Sequence, residues 1–258
     1  VIVFRSRNHS TSVVYLEGHP PLGDLDRNLL EIFCGKVAIA FDNVYLYEQV
    51  LNAQKATVYA LGKLAEFKDE ITGHHVRRIE RLTGLIAAEL KARGAFPGEI
   101  DDRFVDQIGL ASILHDVGKV GLPDSILNKP ARLTEEEMAV IRQHPTIGGN
   151  VLREVAKMVP GRSYLSLGAE VAETHHEKYD GTGYPAGLKG EAIPVGGRIT
   201  AVADVYDALM HKRPYKEAWT LQDTIDHLKS QSGTHFDPLV VDAFLTILDR
   251  GLDEEGIG

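Results

Sequence analysis

The stretch IGLASILHDVGK (residues 108–119) places a charged pair, His115 and Asp116, at the end of apolar residues that repeat at helical spacing. Burying such a pair costs free energy unless another group compensates its charge and its hydrogen-bonding capacity. A metal ion does this, and imidazole together with carboxylate suits manganese, iron, cobalt, nickel and zinc. The stretch therefore indicates a helical fold with a metal centre at a helix end.

Further histidines occur in polar groups on both sides of this stretch. In chain order the patterns are H-x-x-R, H-D-x-x-K, H-P, H-H-E and A-D-x-x-D-A-L. A lone histidine is usually a surface or core residue, and we interpret five of the histidines in that way: His9, His19, His211, His227 and His235. Chance does not account for the ordered set of five patterns, which therefore predicts a shared site.

Apolar periodicity beyond residue 55 predicts helices joined by loops rich in Gly and Pro, and hence an all-α fold. The predicted helices cover residues 55–67, 73–93, 101–115, 134–143, 145–157, 166–177, 195–211, 220–231 and 238–249. Thr134 and Glu137 form a T-x-x-E capping box, which marks the start of one of these helices.

The N-terminal part of the sequence has a different pattern of apolar residues. Residues 13–16 (VVYL) predict a strand, whereas apolar residues from Asp26 to Phe67 recur at helical spacing, with no proline between Pro21 and Pro97. Two interpretations stay open: a long helix that transmits signals or forms a dimer seam, and two ordinary helices packed locally. The start of the sequence lacks both Met and a signal-peptide pattern, so we expect the cut end of a longer protein.

Composition narrows the classes of function. The chain has 258 residues and a formal net charge of −9, so it repels polyanions, and duplex nucleic acid is not expected as a partner. The single cysteine, Cys34, excludes an intrachain disulfide and a multi-cysteine zinc site, and it suits a cytoplasmic location. No apolar run is long enough for membrane insertion.

The motifs together resemble those of the HD-GYP phosphodiesterases, a branch of the HD-domain metal hydrolases. The matching segments are TGHHVRR (72–78), HDVGK (115–119), HPTIG (144–148), HHEKYDGTGYP (175–185) and ADVYDAL (203–209). G-Y-P after H-H-E separates this branch from other HD proteins. The resemblance covers residues 55–250. It implies a helical HD-type metal phosphohydrolase domain, here preceded by a long signalling helix and a small N-terminal remnant.

The resemblance also implies a metal centre with two divalent ions, iron or manganese first, with zinc, cobalt and nickel as other candidates. Asp116 would bridge the two ions together with a water or hydroxide. One ion would be held by His75, His115, Asp116 and Asp204, and the other by Asp116, His144, His175 and His176. Two such cations lower the pKa of a bridging water and stabilise an in-line displacement at phosphorus.

Four further residues are candidates for substrate contacts. Lys119 is placed by the resemblance at the scissile phosphate, where a cation stabilises developing charge. Arg213 and Lys216 match positions that bind substrate phosphates, the alternative being a solvated basic loop. Tyr184 lies in a loop, residues 180–185, that shapes the pocket wall or contacts a partner protein. Two roles stay open for its ring: stacking on a guanine, or burial in the loop.

One position departs from the family pattern. Some members carry a glutamate four residues before the first ligand histidine, and this glutamate binds a third metal. That position here is Ile71 if His75 is the ligand, and Glu70 if His74 is. Because the H-x-x-R and T-G-x-H spacings favour His75, we predict two metals, and a linear dinucleotide as the product rather than GMP.

These inferences predict three segments: residues 1–50 as the end of a GAF-like sensor region with a linker helix, 51–250 as the catalytic domain, and 251–258 as a tail. The predicted function is hydrolysis of cyclic di-GMP to linear pGpG by a cytoplasmic homodimer formed through the N-terminal helix; slow further hydrolysis to GMP stays open. One alternative is an HD phosphohydrolase that acts on another cyclic nucleotide. The other is a nucleotide-binding signalling adaptor with little turnover, against which the full set of ligand residues argues.

Overall fold

The computed structural model describes the backbone of residues 2–5 and 11–14 and, with side chains, residues 23–68, 74–159, 161–212 and 217–251. The chain divides into two compact units, Val1–Thr57 and Val58–Gly258. None of the helices within the described ranges is both long enough and apolar enough to cross a lipid bilayer.

The first unit contains a β-hairpin and most of one long helix. Strands β1 (Ile2–Arg5) and β2 (Thr11–Val14) pair antiparallel, with Ile2 opposite Val14. The predicted strand thus begins two residues earlier than expected, β1 was not predicted, and residues 15–16 lie outside the described part.

Helix α1 (Asp24–Lys68) is continuous over 45 residues. The interpretation as two locally packed helices is therefore wrong, because no proline or turn-forming cluster interrupts the helical pattern. One face of α1, formed by Cys34, Ala38 and Asp42 at intervals of four residues, is buried.

In the second unit the elements described are helices joined by loops, with one isolated β-bridge between Ser232 and Phe236, which confirms the predicted all-α class. The helices are α2 (His75–Ala92), α3 (Asp102–Ser112), α4 (Asp124–Leu127), α5 (Glu135–Ile141), α6 (His144–Ala156), α7 (Tyr164–Thr174), α8 (Val195–Met210), α9 (Leu221–Ser230) and α10 (Pro238–Asp249). Two short 3₁₀ helices, Val117–Gly121 and Gly190–Ala192, lie in connections that were predicted as loops. The capping box of Thr134 and Glu137 is confirmed at the start of α5.

Two apolar clusters form the core of this unit. The larger one joins α2, α3, α7, α8, α9 and α10 around fully buried side chains such as Ile79, Ile108 and Phe244. The smaller cluster contains Val58, Val76, Ile113, Leu114, Leu152, Ala169 and Ala172. Because the smaller cluster includes residues beside the predicted ligands in α2 and after α3, it fixes the helix ends that carry the polar motifs.

Candidate metal centre

The seven predicted metal ligands lie together in the structure. They form a first group, His75, His115 and Asp204, and a second group, Asp116, His144, His175 and His176. Within each group, one potential ligand atom of every residue lies within 4.8 Å of those of the others. The sequence motifs, although spread over five segments, therefore converge on one site.

Most of these side chains are positioned by helix ends. His75 and His144 are the first residues of α2 and α6, and His175 directly follows the last residue of α7. His115 follows α3, whereas Asp204 projects from within α8. The geometry of the site therefore depends on how these helices pack.

Three of the buried histidines are oriented by the same kind of hydrogen bond. The Nδ1–H groups of His115, His144 and His175 donate to main-chain carbonyls, at 2.8 Å from Ser112 and Ile141 and 3.0 Å from Ala172. Their Nε2 atoms, and that of His75, are buried without a hydrogen-bond partner in the described part of the chain. A neutral imidazole that donates from Nδ1 presents a lone pair at Nε2, which is the arrangement of a metal ligand. The donors therefore fit a metal ion.

His75 is oriented by a side chain instead. Its Nδ1 lies 2.7 Å from Asp207 Oδ2, and Arg78 donates to both oxygens of the same carboxylate. Burial raises the pKa of Asp207, but the hydrogen bonds from His75 and Arg78 outweigh it and lower the pKa to about 2. Asp207 was not among the predicted site residues, although the A-D-x-x-D motif contains it and the H-x-x-R motif contains His75 and Arg78.

Asp116 lies between the two groups. Its Oδ2 is 3.3 Å from His115 Nε2, and its Oδ1 is 3.3 Å from His144 Nε2 and 3.7 Å from His175 Nε2. On the far side of the first group, Asp204 Oδ1 is 3.7 Å from His75 Nε2. One carboxylate thus offers a separate oxygen to each group, which is the arrangement required of a bridging ligand.

The electrostatics of the site favour a cation. Burial lowers the pKa of His115, but the charges of Asp116 and Asp204 outweigh it and raise the pKa to about 9. The same negative charges would favour a metal cation beside His115. Burial lowers the pKa of both His175 and His176, so these imidazoles are neutral and able to bind metal.

Lys119 lies on the 3₁₀ helix Val117–Gly121, with its Nζ 2.7 Å from Asp116 Oδ2. A Cβ at Gly118 would overlap the carbonyl oxygen of His144 and the amide of Gly148, so this segment packs directly against the start of α6. The glycines of H-D-x-G-K and H-P-x-x-G thereby allow the close approach of two ligand-bearing segments.

The loop after the His175–His176 pair covers one side of the second group. The ring of Tyr184 is half-buried and stacks on that of His176, with centroids 4.7 Å apart. Glu177 is buried and accepts hydrogen bonds from the main-chain amides of Ala186, Gly187 and Leu188. Glu177 was not predicted as a functional residue, although H-H-E included it, and its carboxylate holds the loop in place.

Several predicted positions lie outside the described residues. Arg213 and Lys216 are among them, so their predicted contacts with substrate phosphates stay predictions. The same holds for Glu70 and Ile71, on which the count of metals depended.

Comparisons with known proteins agree with this site. Residues 60–240 match the family model for the HD domain, and residues 1–50 match that of a domain of unknown function, DUF3369. The interpretation of residues 1–50 as the end of a GAF-like sensor stays a prediction.

Curated relatives extend the likeness. A 3′3′-cGAMP-specific phosphodiesterase 2 of Vibrio cholerae is 41% identical over 93% of this chain and 43% of its own length. A cyclic di-GMP phosphodiesterase of the same organism is 42% identical over 78% of this chain and 41% of its own length. The response regulator RpfG of Xanthomonas campestris, named a cyclic di-GMP phosphodiesterase, is 42% identical over 76% of this chain and 49% of its own length. The chain thus spans less than half the length of these relatives.

Solved structures support the fold. A cyclic GMP-AMP specific phosphodiesterase of V. cholerae (V-cGAP3) covers 79% of this chain with a TM-score of 0.57 at 18% identity, the match covering 50% of that protein. The family model, which matches well over half of the chain, and the motifs of the metal centre agree with this likeness. The chain therefore belongs to the HD-domain family and is of the HD-GYP type.

Proposed function

We propose that this chain is a metal-dependent phosphodiesterase that hydrolyses cyclic di-GMP to linear pGpG. The observation that carries the proposal is the convergence of four buried histidine Nε2 atoms, none with a hydrogen-bond partner in the described residues, on the carboxylates of Asp116 and Asp204. The relatives named cyclic di-GMP phosphodiesterase supply the substrate class.

The donor set suits two divalent ions, with iron or manganese as the first candidates. The first group, together with Asp116 Oδ2, would hold one ion, and the second group, through Asp116 Oδ1, the other. We infer two ions rather than three because Ile71 offers no ligand atom.

When bound, the ions would supply a water of lowered pKa and neutralise charge on the phosphate oxygens. In the reaction, the water oxygen bonds to phosphorus, the bond from phosphorus to the ribose 3′ oxygen breaks, and that oxygen takes up a proton. Lys119, held beside Asp116, provides a fixed positive charge for the phosphate oxygens as negative charge develops on them. Asp116 and the oriented histidines would hold these ions.

A second candidate substrate is 3′3′-cGAMP. It is favoured by the V. cholerae relative of that specificity, whose match extends over 93% of this chain. The two cyclic dinucleotides differ in one base, so the metal centre does not distinguish between them. Groups that contact the bases would decide the substrate.

The test is turnover by protein purified without oxygen and loaded with iron or manganese, with metals counted per chain and products separated by chromatography. Cyclic di-GMP and 3′3′-cGAMP are compared at equal concentrations. About two metals per chain and a linear dinucleotide product are expected. If fully metal-loaded protein hydrolysed 3′3′-cGAMP alone, that dinucleotide would be the substrate in place of cyclic di-GMP. Nucleotide binding without turnover would favour the signalling adaptor.

We also propose that the chain forms a homodimer through α1. In the part of the helix that belongs to the first unit, large apolar side chains recur at the alternating spacing of a coiled-coil seam. Six residues lie at this spacing and are more than half exposed: Leu25, Leu29, Ile32, Ile39, Leu46 and Val50. Phe33, Phe41, Val44 and Tyr47 are similarly exposed but lie outside this spacing. Sedimentation should find a dimer for the wild type and a monomer for the double variant Ile39→Asp and Leu46→Asp; a monomeric wild type would refute the seam.

A further inference from the structure

The last turn of α1 makes polar contacts with two segments that carry site residues. One segment is the start of α2, where His75 lies, and the other is the 3₁₀ helix that carries Lys119. The contacts come from two side chains, Glu66 and Lys68, which are two residues apart on the same turn and therefore point to different sides of the helix. Neither residue belongs to the motifs of the metal centre.

Glu66 supports the start of α2. It is only 6% exposed, and its Oε1 accepts a 2.7 Å hydrogen bond from the amide of Val76. The residue that precedes α2, His74, makes no side-chain capping bond, and the first turn of α2 contains no acidic residue. The first amides of a helix lack partners within the helix and favour a negative charge nearby. Glu66, on another helix, supplies a hydrogen-bond acceptor and a carboxylate at the start of α2, directly beside His75.

Lys68 supports the segment after Asp116. Its Nζ donates to the carbonyl oxygens of Val120 and Leu122, both at 2.7 Å, and lies 3.3 Å from Asp124 Oδ1. These carbonyls lie at the C-terminal end of the 3₁₀ helix Val117–Gly121, where a positive charge is favourable. Lys68 therefore fixes the far end of the segment that holds Lys119.

Apolar packing holds the same part of α1 in place. Val58 is buried in the small cluster that also contains Val76 and Ile113. A Cβ at Gly62 would overlap the side chain of Ile113, so the helix lies directly against the residues that precede His115. The polar contacts of Glu66 and Lys68 thus start from a fixed backbone.

Resting on the proposed function, we propose that Glu66 and Lys68 are positioning residues of the metal centre. Glu66 fixes His75 and thereby the first group, whereas Lys68 fixes Lys119. Loss of Glu66 should weaken metal binding at one of the two positions. Loss of Lys68 should slow turnover with both metals still bound. If the two residues had a purely structural role, both substitutions would lower stability, and they would not differ in their effects on metal binding and turnover.

The experiment compares Glu66→Ala, Glu66→Gln, Lys68→Ala and Lys68→Arg with the wild type. The control is Lys91→Ala. Lys91 lies on the last turn of α2, and its replacement removes an exposed ion pair with Asp102 of α3. Three quantities are measured: amide hydrogen exchange of the metal-free protein, the dissociation constants of both metals, and kcat and KM. Thermal unfolding shows which variants are folded.

Glu66→Ala should accelerate exchange at Val76 and weaken one metal position by about tenfold or more. Glu66→Gln should have a smaller effect, because the amide oxygen still accepts from Val76. Lys68→Ala should accelerate exchange at residues 120–122 and lower kcat about tenfold with both metals retained. Lys68→Arg should recover part of kcat, since the guanidinium also donates to carbonyls. Lys91→Ala should match the wild type.

Folded Glu66→Ala protein with wild-type exchange and metal affinity would overturn the role of Glu66. Folded Lys68→Ala protein with wild-type exchange and kcat would overturn that of Lys68. The exchange measurement needs neither metal nor substrate. A wild type that binds no metal and hydrolyses nothing would refute the proposed function, while exchange in the variants would still decide whether the turn holds the two segments.

Discussion

The two groups of the metal centre are built in different ways. The buried histidines of the second group, His144 and His175, donate to carbonyls three residues earlier in the chain. In the first group, His75 depends on the carboxylate of Asp207, which is 132 residues away and is itself held by Arg78. Orientation is therefore local in the second group, whereas in the first it partly depends on side chains that meet only in the folded chain.

This difference determines which substitutions can change the orientation of a ligand histidine. A main-chain carbonyl stays when a side chain is replaced, so the orientation of His144 and His175 is less sensitive than that of His75 to single substitutions. The support of His75 consists of side chains, each of which a substitution removes. A carboxylate partner also makes the imidazole a stronger ligand. We expect the metal affinity of the first group to be the more easily altered of the two.

The largest effect is expected at Asp116, because this residue contributes to both groups. Asp116→Ala removes an oxygen from both groups, so both metals should be lost and turnover should fall at least ~10³-fold, equivalent to several kcal/mol. Metal counting together with kcat measures this. Two metals per chain with normal turnover in the variant would refute the bridge.

Lys119 contacts the oxygen of Asp116 that faces the first group. Lys119→Ala should leave both metals bound and lower kcat about 10²-fold, as expected when one donor to developing charge is lost. Lys119→Arg is the matched control, because it keeps the positive charge and should retain more activity than the alanine variant. A loss of metal from the first group alone would instead make Lys119 a support for Asp116.

Asp207→Asn tests the comparison directly. The amide accepts less strongly from His75 and leaves the charge of Arg78 uncompensated, so the affinity of one metal position should fall about 10- to 100-fold while the other stays unchanged. Titration of metal-free protein resolves the two positions, and thermal unfolding identifies a general loss of stability. Equal losses at both positions would mean that the groups do not differ in their support.

The sequence predicted those parts of the site that depend on residue type and helix position. The seven predicted metal ligands came from the family resemblance of the motifs, and their side chains lie together in two groups. Apolar periodicity predicted the helices that carry them. Asp207 and Glu177 were missed as functional residues, although both lie within the quoted motifs, because their roles depend on contacts formed only in the folded chain. For Asp207 the contact spans 132 residues, and for Glu177 it is a set of loop amides.

The N-terminal part shows another limit of prediction from sequence. The helical pattern of α1 was recognised, but periodicity alone left open whether the helix is continuous from Asp24 to Lys68. Glu66 and Lys68 carried no signal, since an acidic and a basic residue on a helix usually lie in solvent. Their contacts with Val76, Val120 and Leu122 lie within the second unit and could not be predicted without knowing how the last turn of α1 packs there.

The smallest effect is expected at Tyr184, whose ring stacks on that of His176 in the second group. Burial raises the pKa of its phenol to about 12, so the hydroxyl stays protonated at neutral pH. Because His176 occupies one face of the ring, we expect Tyr184 to support this ligand. Tyr184→Leu should weaken the metal affinity of the second group by about two- to tenfold, the range of an aromatic contact, with KM unchanged.

Tyr184→Phe is the matched control, because it keeps the stack and removes only the hydroxyl, and its metal affinity should equal that of the wild type. The same measurement decides between the two roles left open for this ring. A raised KM in Tyr184→Leu, with metal affinity unchanged, would mean that the ring stacks on a guanine of the substrate. In that case the second group would be supported by the main chain alone, and the contrast with the first group would be sharper than the structure alone indicates.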